Sequence, residues 1–261
     1  MYGDAQVHVY AGLITSFAVS VPNVSISILE VHMKTKRVFY SELAYAVGIV
    51  TLALGTAFME RADFGMSMIV APAYLLHLKI SQILPAFSFG MAEYSLQAAL
   101  IVLLSVCLRR FKPEYLFSFV TAVIYGMTLD AMIALVAMIP AGGVAGRLAF
   151  YLGGMAVCAF GVSMLFHTYI PPEAYELFVK EISAQTGKDI HAVKTAYDCV
   201  SCFVGVVLSF AFFGLGHFEG VKLGTIFCAL INGSLIGVCS RAIESMFEFI
   251  DAFDLRKRLG A

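Results

Sequence analysis

Hydrophobic positions in this chain gather into long runs, not into a short alternating or one-sided pattern. A helix that crosses a bilayer needs about 20 mostly apolar residues, because roughly 30 Å of hydrocarbon is covered at 1.5 Å per residue. Six stretches meet that requirement: Leu43 to Met59, Ile83 to Leu108, Tyr115 to Met138, Leu148 to His167, Thr195 to Leu215 and Leu223 to Ser240. Glycines recur inside them, as expected where small residues let neighbouring backbones approach. Two further apolar-rich pieces are too short or too polar to span. Phe64 to Leu78, interrupted by Pro72, predicts a short helix or a re-entrant segment. Such backbone at membrane depth must be buried in protein or line a cavity. Pro171 to Gln185 opens on a proline pair, as helices often do, and places Ala174, Leu177, Phe178 and Ile182 on one face, away from Glu173, Glu176, Lys180 and Glu181. That pattern predicts an amphipathic helix lying on the inner membrane surface. Gly187 stops it, and Asp189 then reads as the N-cap of the next span.

The order of span, short helix, span, span occurs twice. Leu43 and Leu148 are 105 positions apart, while Phe64 and Pro171, Tyr115 and Lys222, and Gly126 and Gly233 are each 107 apart. Three spans per half is an odd number, so the second half enters from the opposite side, which gives an inverted repeat. A competing reading remains open, because any six-helix protein can be cut into similar halves. The predicted fold is an all-α polytopic membrane bundle of six transmembrane helices in two inverted three-helix repeats, with two short non-spanning helices. Its parts are an extension over 1–38, a first repeat over 39–147, and a second repeat over 148–261 with a basic tail. Ala5 to Leu29 carries His8, Pro22 and Asn23, and Val24 to Met33 alternates like a strand. A seventh span, a surface segment and a poorly ordered extension all stay open for it.

Composition sharpens the picture. Sixty per cent of the 261 residues are hydrophobic, 13% are charged, and mean hydropathy is +0.87. Soluble domains carry about 25% charge, so a lipid bilayer is the expected surrounding. A net charge of −1 offers no basic field for nucleic acid. If the segment before the first span is cytoplasmic, the outer side holds only Arg61, Lys79, Arg147 and Lys222. The remaining basic residues of the core and tail then face inward, so both ends of the six-span core are expected in the cytoplasm. Cys199 and Cys202 form a Cys-x-x-Cys on an apolar span without a second pair, so neither a metal nor a redox cofactor is expected. No nucleophile or phosphate motif occurs, and the chain does not read as an enzyme.

Intramembrane carboxylates are costly and are functional candidates by default. Counted from the outer ends of their spans, Glu93, Asp130 and Asn232 lie roughly 15, 12 and 15 Å deep. Tyr94, Gln97, Tyr125 and Thr128 are close by on the same helices, with Gln97 one turn from Glu93. A shared polar pocket is the expectation, holding a proton, a cation or a cationic group of a solute. The alternative is that each carboxylate is tied off between helices. Arg61 and Asp63 are expected to pair at the outer turn after the first span, at the mouth above that pocket. His167 closes the fourth span on the inner side.

The stretch Gly55-Thr56-Ala57-Phe58-Met59-Glu60-Arg61-Ala62-Asp63-Phe64-Gly65-Met66-Ser67, with Asp198, Gly224-Thr225-Ile226 and Asn232-Gly233, resembles the YczE/YitT-type group of bacterial integral membrane proteins. The resemblance covers about Phe39 to Arg241, and Met68 stands where that group usually has proline. It implies a roughly six-span protein of the bacterial plasma (inner) membrane and supplies no substrate. The expected function is a small transporter or permease of a small solute or cation, with a homo-oligomer left open. The alternative is a membrane scaffold that docks a partner through Pro171–Gln185 and the tail Arg256-Lys257-Arg258.

Overall fold

A computed structural model describes residues 36–252 except 189 and 217. The readings made for residues 1–35, for Asp189 and for the basic tail fall outside these. The architecture below is that of the unit Val38–Ala261 together with Arg37, which opens its first strand. Its elements are β1 (Arg37–Tyr40), α1 (Ser41–Ala62), α2 (Ala71–Ile80), α3 (Phe89–Leu108), α4 (Pro113–Ala137), α5 (Val144–Phe166), α6 (Ala174–Thr186), α7 (Ile190–Phe213), α8 (Leu223–Met246) and β2 (Phe247–Ile250). Among the described residues six helices are long and apolar enough to cross a membrane: α1, α3, α4, α5, α7 and α8. The chain is a multi-pass helical membrane protein, and among the described residues its sheet is the pair of β1 with β2.

The tightest packing joins α1 to α5, and glycine makes it possible. A Cβ on Gly55 would lie 2.6 Å from the Cys158 amide nitrogen, and one on Gly161 would lie 2.6 Å from that of Leu52. The contacts run Gly55 to Gly154 and Gly48 to Gly161, so the two helices are antiparallel. Both helices space their glycines seven residues apart, and the pairs are related by an offset of 106 positions. This is the small-residue packing of bilayer helices. α4 covers α1, and α8 covers α5 in the corresponding place. Against α3, α4 comes even closer, because a Cβ on Gly90 would meet the Gly126 carbonyl. Their counterparts α7 and α8 do not pack closely, and Gly233, the counterpart of Gly126, faces open space.

We call the end where α1 begins the near end and the end where it finishes the far end. The two short helices both pack between α3 and α7. α2 finishes at the far end, where Lys79 Nζ donates to the Phe212 carbonyl (3.2 Å). Its entry is deep, because Ser201, about 18 Å from the end of α7, donates to the Met68 carbonyl (2.8 Å). α6 mirrors this from the near end. Thr121, roughly 12 Å into α4, donates to the Pro171 carbonyl (3.1 Å), just before α6 begins. α6 then returns to the near end and stops at Gly187, whose φ of 66° only glycine adopts freely. Each short helix therefore starts at mid-depth and runs out to its own end. For α6 this corrects the surface placement expected from sequence: Ala174, Tyr175, Leu177 and Val179 are buried. Leu177 and Ala174 pack on Ile101, Leu104 and Tyr115, because the apolar stripe faces protein and not lipid.

Candidate functional site

The starts of α2 and α6 face a common cavity of about 60 Å³ at the centre of the bundle. Its polar lining includes Thr56 from α1, Ser67 from the approach to α2, Tyr125 from α4, Cys158 from α5, Cys228 and Asn232 from α8, and Glu173, Tyr175 and Glu176 from the α6 start. Most of the wall is apolar, including Leu52, Met59, Val70, Met155 and Leu165. Tyr125 shares a 3.0 Å hydrogen bond with Thr56 and is held between α4 and α1.

Glu173 is 4% exposed, and its two oxygens have different fates. Oε2 accepts from Gln97 Nε2 at 2.9 Å, while Oε1 is buried without a hydrogen-bond partner among the described residues. Gln97 also donates to Glu93 Oε2 (3.4 Å), and its own Oε1 accepts the backbone N–H of Ala174 (3.0 Å). Tyr175 donates to the same Glu93 oxygen at 2.7 Å. Gln97 thus ties α3 to the α6 start and links two buried carboxyls. Burial first, then the charges of Glu176 and Glu93, push the Glu173 carboxyl well above its ordinary range. Burial also raises Glu176, against the pull of Lys194. Among the described residues neither Glu93 nor Glu173 has a basic partner within ion-pair distance; Lys194 sits 3.1 Å from Asp198 and 3.9 Å from Glu176.

The residues expected to share one pocket separate into three groups. Asn232 and Tyr125 line the cavity; Glu93 and Gln97 stand directly behind Glu173. Asp130 does not join them. Its Oδ1 accepts the Gly90 N–H (2.8 Å) and its Oδ2 accepts the Ser88 hydroxyl (2.6 Å), so it secures the start of α3. The reason is that the second span begins at Phe89 and not near Ile83, so a helix start lies where the sequence suggested continuous helix. Tyr94 packs over Gly126 at the α3–α4 crossing.

At the far end the expected Arg61–Asp63 pair is replaced by other partners. Arg61 Nη2 donates to the Ile139 carbonyl (3.1 Å). Asp63, in the left-handed region at φ 55°, pairs instead with Arg147 (3.1 Å) and Lys222 (2.5 Å). These bonds clamp the end of α1 to the starts of α5 and α8. At the near end Glu181 on α6 accepts from Lys112 (2.6 Å), Arg110 (3.0 Å) and Tyr115 (3.2 Å). Burial opposes its ionisation, but these partners outweigh that and hold its carboxyl below the usual range. His167 lies between the Ser163 carbonyl and Glu244, stacked on Phe249.

A family model matches residues 39–241, the stretch that holds all six spans up to the last turns of α8. The chain belongs to the Family of unknown function (DUF6198). Comparison with curated proteins and with solved structures gives no significant match. Membership therefore covers both clamps and the central cavity without assigning them an activity.

Glu173, Glu176, Tyr175 and Thr56 are the cavity residues that sequence reasoning passed over. A usable signal existed: Phe64 and Pro171 occupy corresponding positions, and the first was already read as a candidate re-entrant entry. Applying the same reading to the Pro171-Pro172 entry would have brought Glu173 to mid-depth.

Proposed function

We propose that this protein is a carrier of a small solute or cation, built from two inverted halves around the central cavity. It is read as lying in a bacterial inner membrane with the near end cytoplasmic. The observation that carries the proposal is the meeting of two half-length helices, entering from opposite ends, at one cavity lined by Glu173, a carboxyl with one oxygen buried and unpartnered among the described residues. Helices broken at mid-depth, with a site where the halves meet, are a recurring plan of secondary transporters. The reciprocal glycine contacts of α1 and α5 support an inverted pseudo-symmetry, since exchanging the halves maps each contact onto the other. The inequality of the halves supports alternation: α3 and α4 are closed on each other where α7 and α8 are apart. In the opposite state α7 would close on α8 at Gly233 while α3 and α4 part. Protonation of Glu173 would couple to that exchange, with Gln97 and Glu93 behind it.

The scaffold reading loses one of its docking surfaces, because the apolar face of α6 is buried against α3 and α4 residues. The test is proteoliposomes loaded with a pH-sensitive dye and challenged with a panel of small amines, amino acids and carboxylates. Solute-driven proton movement is expected from the natural protein and its loss in Glu173→Gln. If no solute moves protons through the natural protein, or if Glu173→Gln matches it, the coupled-carrier reading fails.

A further inference from the structure

Resting on the carrier reading, we infer that the central cavity takes a small monocation with an apolar body, such as a short aliphatic amine in its ammonium form. Three observations limit the ligand's chemistry. Glu173 lines the space and its Oε1 is buried and unpartnered among the described residues; Glu176 lines it too, while the Tyr175 hydroxyl from the same helix start is taken up by Glu93. The remaining wall is largely aliphatic and thioether, from Leu52, Met59, Val70, Met155 and Leu165. The volume of about 60 Å³ exceeds the roughly 10–15 Å³ that one water needs, and so admits only a few heavy atoms.

The alternatives fit less well. Helix N-termini attract anions, and two of them converge here. At α6, however, the first N–H of the helix, that of Ala174, is already taken by Gln97. An anion would also face two carboxyls with no basic group within ion-pair distance of Glu173. A bare metal ion wants several hard oxygens around it. Among the described residues no group of three or more His, Cys, Asp or Glu is placed to hold one. A neutral apolar molecule would leave Glu173 Oε1 without a partner. An ammonium head satisfies that oxygen, and its short alkyl body meets the aliphatic wall.

The experiment is thermal unfolding of the purified full chain with ethylammonium chloride, and with ethanol, sodium acetate and sodium chloride at equal concentration. These probes match in size and differ in charge. Ethylammonium is expected to raise the unfolding temperature by about 3 °C or more at saturating concentration, with no shift from the others. Glu173→Gln is expected to lose the shift. Asn232→Ala, at a half-buried lining position, provides a second variant, with an expected weakening of several-fold in the concentration required. An equal shift from ethanol, acetate or sodium, or an undiminished ethylammonium shift in Glu173→Gln, overturns the inference. The two readings fail separately. Acetate-driven proton flux would keep the carrier and remove the cation, whereas ethylammonium binding without any flux would do the reverse.

Discussion

Gln97 is the residue on which the site's chemistry turns. The backbone N–H of Ala174 can only donate, so it fixes the Gln97 oxygen toward α6 and leaves the amide nitrogen facing both carboxyls. The two oxygens that face that nitrogen must then accept, so a proton that neutralises Glu173 resides on Oε1. Around Glu173 the charged or titratable groups are Tyr45 on α1, Glu93 on α3, Tyr125 on α4, Cys158 on α5, and Tyr175 and Glu176 on α6, with Lys194 beyond. A raised folded value favours the protonated form. The stability it contributes is full below the ordinary value of 4.5 and is lost as pH rises toward the raised value. Glu173→Gln is therefore expected to flatten the fall in unfolding temperature as pH rises above the ordinary carboxylate value, measured on purified protein. Asp130 belongs to a different category. Asp130→Ala leaves the Gly90 N–H and the Ser88 hydroxyl without their acceptor, and is expected to cost about 1–2 kcal/mol. Solute-driven proton flux should survive that change, which separates a helix-securing carboxylate from a working one.

Among the elements, glycine distinguishes closed contacts from open ones. A methyl on Gly55 would meet Cys158 N at 2.6 Å and Gly154 O at 2.7 Å, both backbone atoms. Gly55→Ala is expected to cost about 2–3 kcal/mol, since backbones yield little to such overpacking. Gly233→Ala, with nothing within 4 Å, should stay within about 0.5 kcal/mol. Gly233→Trp gives the sharper reading: an unchanged unfolding temperature with most solute-driven flux lost, because α7 could no longer close on α8. Retained flux would sink the exchange of closed pairs. These elements were largely legible beforehand. Every span was visible because lipid demands an unbroken apolar run, whereas the start of α3 was missed because Ser88 caps a helix inside such a run. The surface placement of α6 failed for a related reason. An apolar stripe reports that something covers it without reporting whether lipid or protein does, and four acidic or basic side chains on the other face suggested water. Two of these, Glu173 and Glu181, are buried by partners that only the assembled bundle supplies.

For the whole molecule, the two ends are secured by ion clusters that tie different elements together. Asp63 holds the far end across α1, α5 and α8, and Glu181 holds α6 to the α3–α4 connection at the near end. The Asp63 pairs are exposed and individually weak, whereas Glu181 is buried under its partners. Cys158 lines the cavity and is 9% exposed, so its labelling by a small thiol reagent reports water access. With the other five cysteines (Cys107, Cys199, Cys202, Cys228 and Cys239) replaced by serine, Asp63→Ala is expected to speed Cys158 labelling several-fold; an unchanged rate would show that this clamp does not hold the path shut. The half-length helices have an electrical consequence as well. Each supplies insulation over only about half of the bilayer, so a charge arriving at Glu173 from either face has crossed roughly half of the transmembrane voltage. At 100 mV that is about 1.1 kcal/mol per elementary charge, or a roughly sevenfold change in loading, so resting potential alone would bias which face fills the chamber.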